Sequence, residues 1–252
     1  MKLHINSNEY IDTSFPLDIS IPLSNTAQNP KAWYVEAPVF EPVRTEHYTG
    51  SVEEGGSVNF RNIFFNPHGH GTHTECLGHI TEKVHSINTT LKEYMFRARL
   101  VTIEPKKIKN AEGTFDDVIT KDQLVELGNI SDVEALIIRT HPNRAAKRSM
   151  NYSNTNPAYF EVECARHLIE SGIQHLLVDL PSVDRESDGG LLAFHHAFWE
   201  VPENPSFERT ITELIFVDDE LLDGVYLLNL QVAPFENDAA PSRPVLYKIK
   251  KV

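Results

Sequence analysis

Two stretches of the chain are apolar without interruption, and one between them is apolar at helical spacing. Ala135–Arg139 (ALIIR) and His175–Leu180 (HLLVDL) read as strands buried on both faces, because neither alternates. In Pro157–Ser171, residues Tyr159, Val162, Ala165, Leu168 and Ile169 fall on one helical face, and Gly172 stops the run. Strand, helix and strand in that order predict a βαβ unit, hence a partly parallel sheet. Thr120 followed by Gln123 reads as a capping box and Gly128 as a stop, which predicts a short helix over 121–127. Ser57–Phe65 (SVNFRNIFF), Leu100–Glu104, Leu214–Val217, Val225–Leu230 and Val245–Ile249 read as further strands, with a turn at Asp223-Gly224. Pro16, Pro22, Pro30, Pro38 and Pro42 favour extended backbone over helix near the start. The expected class is α/β with a mixed sheet and more strand than helix. No linker divides residues 1–252, so a single domain is expected.

Composition narrows the partners. With 23 Lys and Arg against 36 Asp and Glu, the formal charge is −13, which argues against nucleic acid. No apolar run approaches the roughly 18 residues of a membrane span, and the first residues, MKLHINSNEYID, lack a secretory apolar region. No membrane partner is expected, and the expected location is the cytoplasm. The two cysteines, Cys76 and Cys164, read most simply as free thiols there, with a bridge between them the alternative.

The chemistry concentrates after the strand at 57–65. Four of the twelve histidines, His68, His70, His73 and His79, lie with Glu75 in the segment NPHGHGTHTECLGH. Gly69, Gly71 and Gly78 let the backbone turn sharply among them. Imidazole nitrogen and carboxylate oxygen together suit Zn²⁺, Mn²⁺ or Fe²⁺. His73 and Glu75 are two residues apart, so in extended backbone they share one face. Distant ligands are available in His195-His196, after Gly189-Gly190, and in Glu213. The latter sits in the β-type run Thr210–Ile215, where a bare buried carboxylate would be costly. Asp179 and Asp184 flank Pro181 and read as ligands or as turn residues. The competing readings are that the histidines cap turns, that His195 packs under a helix, and that Glu213 faces outward.

These residues resemble a family. Gly71-Thr72-His73-Thr74-Glu75, followed by His79, is similar to the signature His-x-Gly-Thr-His-x-Asp-x-x-x-His of the cyclase family of metal-dependent hydrolases. That group includes bacterial kynurenine formamidase and isatin hydrolase. IDTSFPLDISIPL, ALIIRT, ECARHLIESGIQHLLVDLPSVD, His195 and ITEL resemble the family's other segments in order. The resemblance implies a three-layer β/β/α domain of the swivelling type, as a homodimer or homotetramer. It implies one or two divalent ions, Zn or Mn, and hydrolysis of an amide bond in a small formamide or cyclic amide. By the same resemblance His73 is a first-site ligand, Glu75 a bridging one, His195 a second-site ligand, Glu213 a carboxylate shared by both, and His79 the general acid/base. The signature's first histidine falls on Gly69, so His68 or His70 must serve in its place. Glu75 stands where the signature has aspartate, and the chain between His195 and Glu213 is longer, with an insert near Glu200–Phe207. Trp33, Tyr34 and Phe40 are candidates to line a substrate pocket, or ordinary core.

Two other readings use the same residues. His68-x-His70-x-x-x-x-Glu75 has the spacing of a cupin metal motif, although no later Pro-x-Gly turn leads to a histidine. Gly69 alternatively marks a non-catalytic member that has lost its metal.

Overall fold

The computed structural model describes residues 1–252. Its centre is a mixed sheet of nine strands: β1 (Leu17–Asp18), β2 (His73–Glu75), β3 (Met95–Ile103), β4 (Ala135–Thr140), β5 (His175–Val178), β6 (Thr210–Glu213), β7 (Gly224–Asn229), β8 (Ala239–Pro241) and β9 (Val245–Lys248). Their order across the sheet is β8-β2-β6-β5-β4-β3-β7-β9-β1. The run β6-β5-β4-β3 is parallel and every other pairing is antiparallel. Besides a single turn at Ile87–Thr90, three helices accompany it: α1 (Lys121–Glu126), α2 (Glu163–Glu170) and α3 (Ala193–Trp199), with α2 against both others. The α/β class and the mixed sheet are those expected.

The βαβ unit is present as β4, α2 and β5, with Ala135 opposite His175 and Ile138 opposite Val178. Every residue of β4 and β5 is buried. Helix α2 buries Cys164, Ala165 and Leu168 and exposes Arg166 and Glu170, a pairing fixed by its 3.6-residue period. These side chains join Leu124, Phe194, Phe198 and Trp199 in one core of 39 buried residues. At α1 the Gln123 side chain accepts the Thr120 amide at 3.1 Å, and Gly128 ends the segment at φ 72°. Cys76 and Cys164 are both free and buried.

Four expectations are corrected. The strand expected over 57–65 is shorter, Arg61–Phe64, and pairs only with Val39–Pro42 in a hairpin outside the large sheet. Val58 and Phe60 just before it and Ile63 and Phe64 on it stand exposed; Tyr48 meets Phe60 edge-on at 6.3 Å, but the arm lies outside the main core. The helix expected over 157–171 begins only at Glu163. Its first turn is replaced by Tyr159–Phe160, which pairs in parallel with Val118 and Ile119, and the Tyr159 hydroxyl donates to Asp116 at 2.9 Å. The strand expected at Leu214–Val217 lies just before it, because Leu214 takes φ 53° and ends β6. At Asp223-Gly224 there is no hairpin turn. Asp223 accepts from the Thr102 amide and hydroxyl, both at 2.7 Å, and Gly224 opens β7.

Candidate metal centre

Strand β2 is three residues long and wholly buried. Its alternation puts His73 and Glu75 on one face and Thr74 on the other, where its hydroxyl lies 2.8 Å from that of Thr212. On one side β6 sets Glu213 opposite His73; on the other β8 sets Ala239 opposite Glu75, small enough to leave room. His73 Nε2 is then 3.4 Å from Glu213 Oε2 and 4.0 Å from Glu75 Oε2. From helix α3, His195 Nε2 reaches Glu75 Oε1 at 3.0 Å and Glu213 Oε1 at 3.9 Å. From the loop before β2, His68 Nδ1 lies 2.9 Å from Glu75 Oε2.

Each of these three rings has one nitrogen tied to an acceptor outside the cluster. His73 Nδ1 donates to the Gly71 carbonyl at 3.0 Å, His195 Nδ1 pairs with Asp184 Oδ2 at 2.6 Å, and His68 Nε2 pairs with Asp238 Oδ2 at 2.8 Å. A carbonyl or carboxylate oxygen only accepts, so the tied nitrogen carries the proton and the other presents a lone pair in the neutral ring. With all three rings neutral, three lone pairs would face two carboxylates, Glu75 and Glu213; without a cation a second proton on His68 and on His195 relieves this, directed at Glu75 from 2.9 and 3.0 Å. His73 Nε2 is buried with no hydrogen-bond partner, and Glu75 Oε2 has only the His68 ring, 2.9 Å away. Acceptors crowded in this way need protons or a cation between them, and imidazole nitrogens beside two carboxylates are a donor set that fits a divalent cation. The donor atoms form two overlapping sets, His68–Glu75–His79 and His73–Glu75–Glu213, each within 4.8 Å. Glu75 belongs to both, with Oε2 facing His68 and His73 and Oε1 facing His195.

The electrostatics without a cation show the same strain. Burial pushes the Glu213 carboxyl up, and the neighbouring Glu75 charge pushes it further. Burial also opposes charge on Glu75, but His79, His195 and His68 outweigh it and hold that carboxyl well below its usual range. Burial would lower His68 and His195. Asp238 and Glu75 raise the first to about 10, and Asp184 and Glu75 raise the second to about 10.

Asp184, readable in the chain as a ligand or a turn residue, holds a ligand candidate instead. It accepts from the amides of Phe194 at 2.8 Å and His195 at 3.1 Å as well as from the His195 ring. It therefore fixes both the first turn of α3 and the ring that turn carries. Gly189 and Gly190, at φ 74° and 79°, make the bend into that helix at no steric cost. Asp238 was absent from the sequence reading; its only signal was an acidic residue just before a short apolar strand. Asp179 is not in the cluster. It is buried against Lys147 Nζ at 2.8 Å and the Thr140 amide at 2.9 Å.

His70 does not join the site. It is buried on the far side of the loop, where Nδ1 accepts the Asn66 amide at 2.8 Å and Nε2 meets the Glu36 carbonyl at 2.6 Å. His68 takes the place that the resemblance left open. The reason lies in the segment around Trp33: Ala32 donates to the Gly69 carbonyl at 3.0 Å, and a Cβ on Gly69 would come within 2.8 Å of Val35 Cγ2. No histidine fits at 69 while that segment covers the loop. His196 turns away to the Val201 carbonyl at 3.3 Å. The longer connection at 200–207 does not border the cluster; Phe207 packs on His85 with ring centroids 5.1 Å apart.

A cavity of about 460 Å³ opens over the cluster, lined by His68, His79, His195, Glu213, Trp33 and the loop Ser182–Gly190. Trp33 and Tyr34 are consecutive left-handed residues at φ 59° and 60°, a conformation that costs about 1 kcal/mol or more each and persists where neighbours enforce it. Here Ser153 Oγ accepts the Tyr34 amide at 2.9 Å and Glu186 accepts its hydroxyl at 3.1 Å. Tyr34 points outward and Phe40 lies in the hairpin arm, so of the three aromatic candidates Trp33 alone lines the cavity.

Residues 17–185, about two thirds of the chain, match the family model described as "Putative cyclase". Over 239 residues the chain is 30% identical to kynurenine formamidase of Bacillus thuringiensis and 29% identical to that of Bacillus cereus, covering 94% of this chain and 99% of each relative. Among solved structures, isatin hydrolase A from Labrenzia aggregata superposes with a TM-score of 0.64 at 15% identity, over 92% of this chain and 93% of that one. Isatin hydrolase A from Ralstonia solanacearum gives 0.62 at 14% identity, over 92% and 91%. At such identity the structural likeness speaks for the fold.

Proposed function

The chain belongs to the cyclase family, and from that membership and the converging site we propose that it is a metal-dependent hydrolase. Its substrate is a small formamide or cyclic amide, as the names of its relatives suggest. The observation that carries this is the buried, unpartnered His73 Nε2 between Glu75 and Glu213, with His68 and His195 against Glu75. His68, His73, His195, Glu75 and Glu213 hold one or two divalent ions, Zn or Mn.

A divalent cation there would lower the pKa of water toward about 7 and polarise the scissile carbonyl. The chain supplies the rest. His79 lines the cavity with its Nδ1 3.3 Å from Asp238 Oδ2, which leaves the Nε2 lone pair to take a proton from the attacking water as the C–O bond forms and to pass it to the departing nitrogen as the C–N bond breaks. Because His79 also lies within the His68–Glu75 donor set, its ring is close enough to serve as a ligand. Trp33 walls the cavity and excludes water from the reacting carbonyl.

Two alternatives fare worse. The cupin pattern needs His70, whose ring nitrogens are both engaged elsewhere. The metal-free reading rested on Gly69, and His68 makes good that loss. The test is turnover of N-formylated anilines and of cyclic amides with Zn²⁺ or Mn²⁺, in wild type and His73→Ala. Equal turnover in the two proteins would reject the site.

The remaining assignments are a homodimer or homotetramer and a cytoplasmic location. The first is supported by the exposed Val58, Phe60, Ile63 and Phe64 on the hairpin arm. Sedimentation of Ile63→Ser/Phe64→Ser should show a smaller species than wild type. The second is supported by two unbridged cysteines; no helix is long and apolar enough to cross a membrane.

A further inference from the structure

We propose that Asp238 is a positioning residue that fixes the tautomers of two histidines at once, holding His68 for the ion and His79 for the substrate. A single oxygen, Oδ2, lies 2.8 Å from His68 Nε2 and 3.3 Å from His79 Nδ1. The two rings stack on each other, centroids 4.2 Å apart and planes 27° apart, so both edges meet the same acceptor. A carboxylate oxygen only accepts, so each of those nitrogens carries a proton. What remains is His68 Nδ1, 2.9 Å from Glu75 Oε2 in the donor cluster, and His79 Nε2, free for the cavity. His195 has its own carboxylate, Asp184. His68 and His79 share one.

The carboxylate itself is held rigidly. The Asp238 carbonyl accepts the Cys76 amide at 3.1 Å, extending the β2–β8 ladder by one step beyond Glu75. Its neighbour is pinned twice: the Ile87 amide donates to the Asn237 carbonyl at 2.8 Å, and the Asn237 side chain donates to the Ala239 carbonyl at 3.1 Å. The backbone register that places Glu75 therefore also places the oxygen that orients the rings beside it. One substitution should affect two separable quantities, ion affinity through His68 and proton delivery through His79.

This rests on the hydrolase reading, and the experiment separates the two. Zn²⁺ affinity, measured by competition with a chromogenic chelator, needs no substrate. Asp238→Asn should weaken it about 10- to 100-fold, the usual effect of losing a carboxylate behind a histidine ligand, and Asp238→Glu should recover part of the loss. At saturating Zn²⁺, kcat should still fall at least tenfold with KM within twofold. In a His79→Ala background, adding Asp238→Asn should leave kcat within twofold while affinity still drops. Affinity within twofold of wild type in Asp238→Asn would overturn the assignment, as would losses in kcat that multiply in the double variant. Should Asp238→Asn fail to fold, ¹⁵N-histidine spectra of the zinc-loaded wild type decide: His79 as the Nδ1–H tautomer supports the proposal, and Nε2–H overturns it. If wild type hydrolyses no amide yet Asp238→Asn loses affinity, the hydrolase reading fails and the positioning role stands.

Discussion

Strands β4 and β5, at the middle of the sheet, and β2 and β6, two places along, are buried to the same degree, residue for residue. The middle pair carries Leu136, Ile137, Ile138, Leu176, Leu177 and Val178. The outer pair carries His73, Glu75 and Glu213. Burial is thus no guide to role; satisfaction of polar atoms is. The middle does hold a charge, Arg139, but its guanidinium makes five hydrogen bonds, to Thr102, Asp218, Leu221 and Asp223. Asp179 at the end of β5 is likewise met by Lys147 and Thr140. In the outer pair the two carboxylates lie on either side of His73, whose Nε2 has no partner. One half of the sheet closes its own polar requirements, and the other leaves a buried donor set that a cation would complete.

Breaking the outer pair should abolish function and spare the fold. If the proposed centre is worth several kcal/mol to the transition state, His73→Ala should lower kcat/KM roughly 10³-fold while circular dichroism is unchanged. Loading that half should stabilise the protein. Zn²⁺ at 1,000 times its Kd adds about 4 kcal/mol in urea titrations. Glu213→Gln should lose most of that increment without lowering the stability of the metal-free protein, since it removes a carboxylate crowded by Glu75.

The middle should answer in the opposite way. Leu177→Ala opens a cavity in the core and should cost about 2–5 kcal/mol, with kcat of the folded fraction nearly unchanged. A subtler probe is His175, which ends this apolar region and bonds Thr210 Oγ1 at 2.8 Å. Burial lowers its pKa from 6.5 to about 4. Between these values the unfolded chain binds the proton and the folded one does not. The stability is therefore intact above about pH 6.5 and is lost as pH falls toward 4, a loss on the order of 3 kcal/mol. His175→Gln should flatten that part of the acid profile in urea titrations at stepped pH. The smallest effect expected is at the cavity wall. Trp33→Ala should raise KM about three- to tenfold, the worth of one aromatic contact, with kcat little changed.

Much of this division was legible beforehand. The uninterrupted runs at 135–139 and 175–180 announced buried parallel strands, and the spacing of His73 and Glu75 put both on one face. Glu213 was legible as an anomaly, a carboxylate inside a β-type run. The failures have local causes. The run 57–65 has strand propensity, yet whether it meets a core is a matter of what packs over it, and none of its residues joins the main core. Residues 157–162 have helical spacing, yet pairing with Val118 and Ile119 outbids it for the backbone. His70 and His68 could not be told apart because the choice depends on a segment more than thirty residues earlier: Val35 and Ala32 close over Gly69 and turn the loop so that His68 faces in.

The sequence by itself determined the fold class, the central βαβ unit, the family and the histidine-rich loop, because these follow from periodicity and from residues near one another in the chain. Only the tertiary structure decided which histidines converge, that Asp184 and Asp238 hold their rings, and that Trp33 alone among its neighbours walls the cavity. Those outcomes depend on strand register and on contacts between residues as far apart as His68 and Asp238. No local pattern encodes such distances, since the register of β2 against β6 and β8 is settled by the packing of the whole sheet.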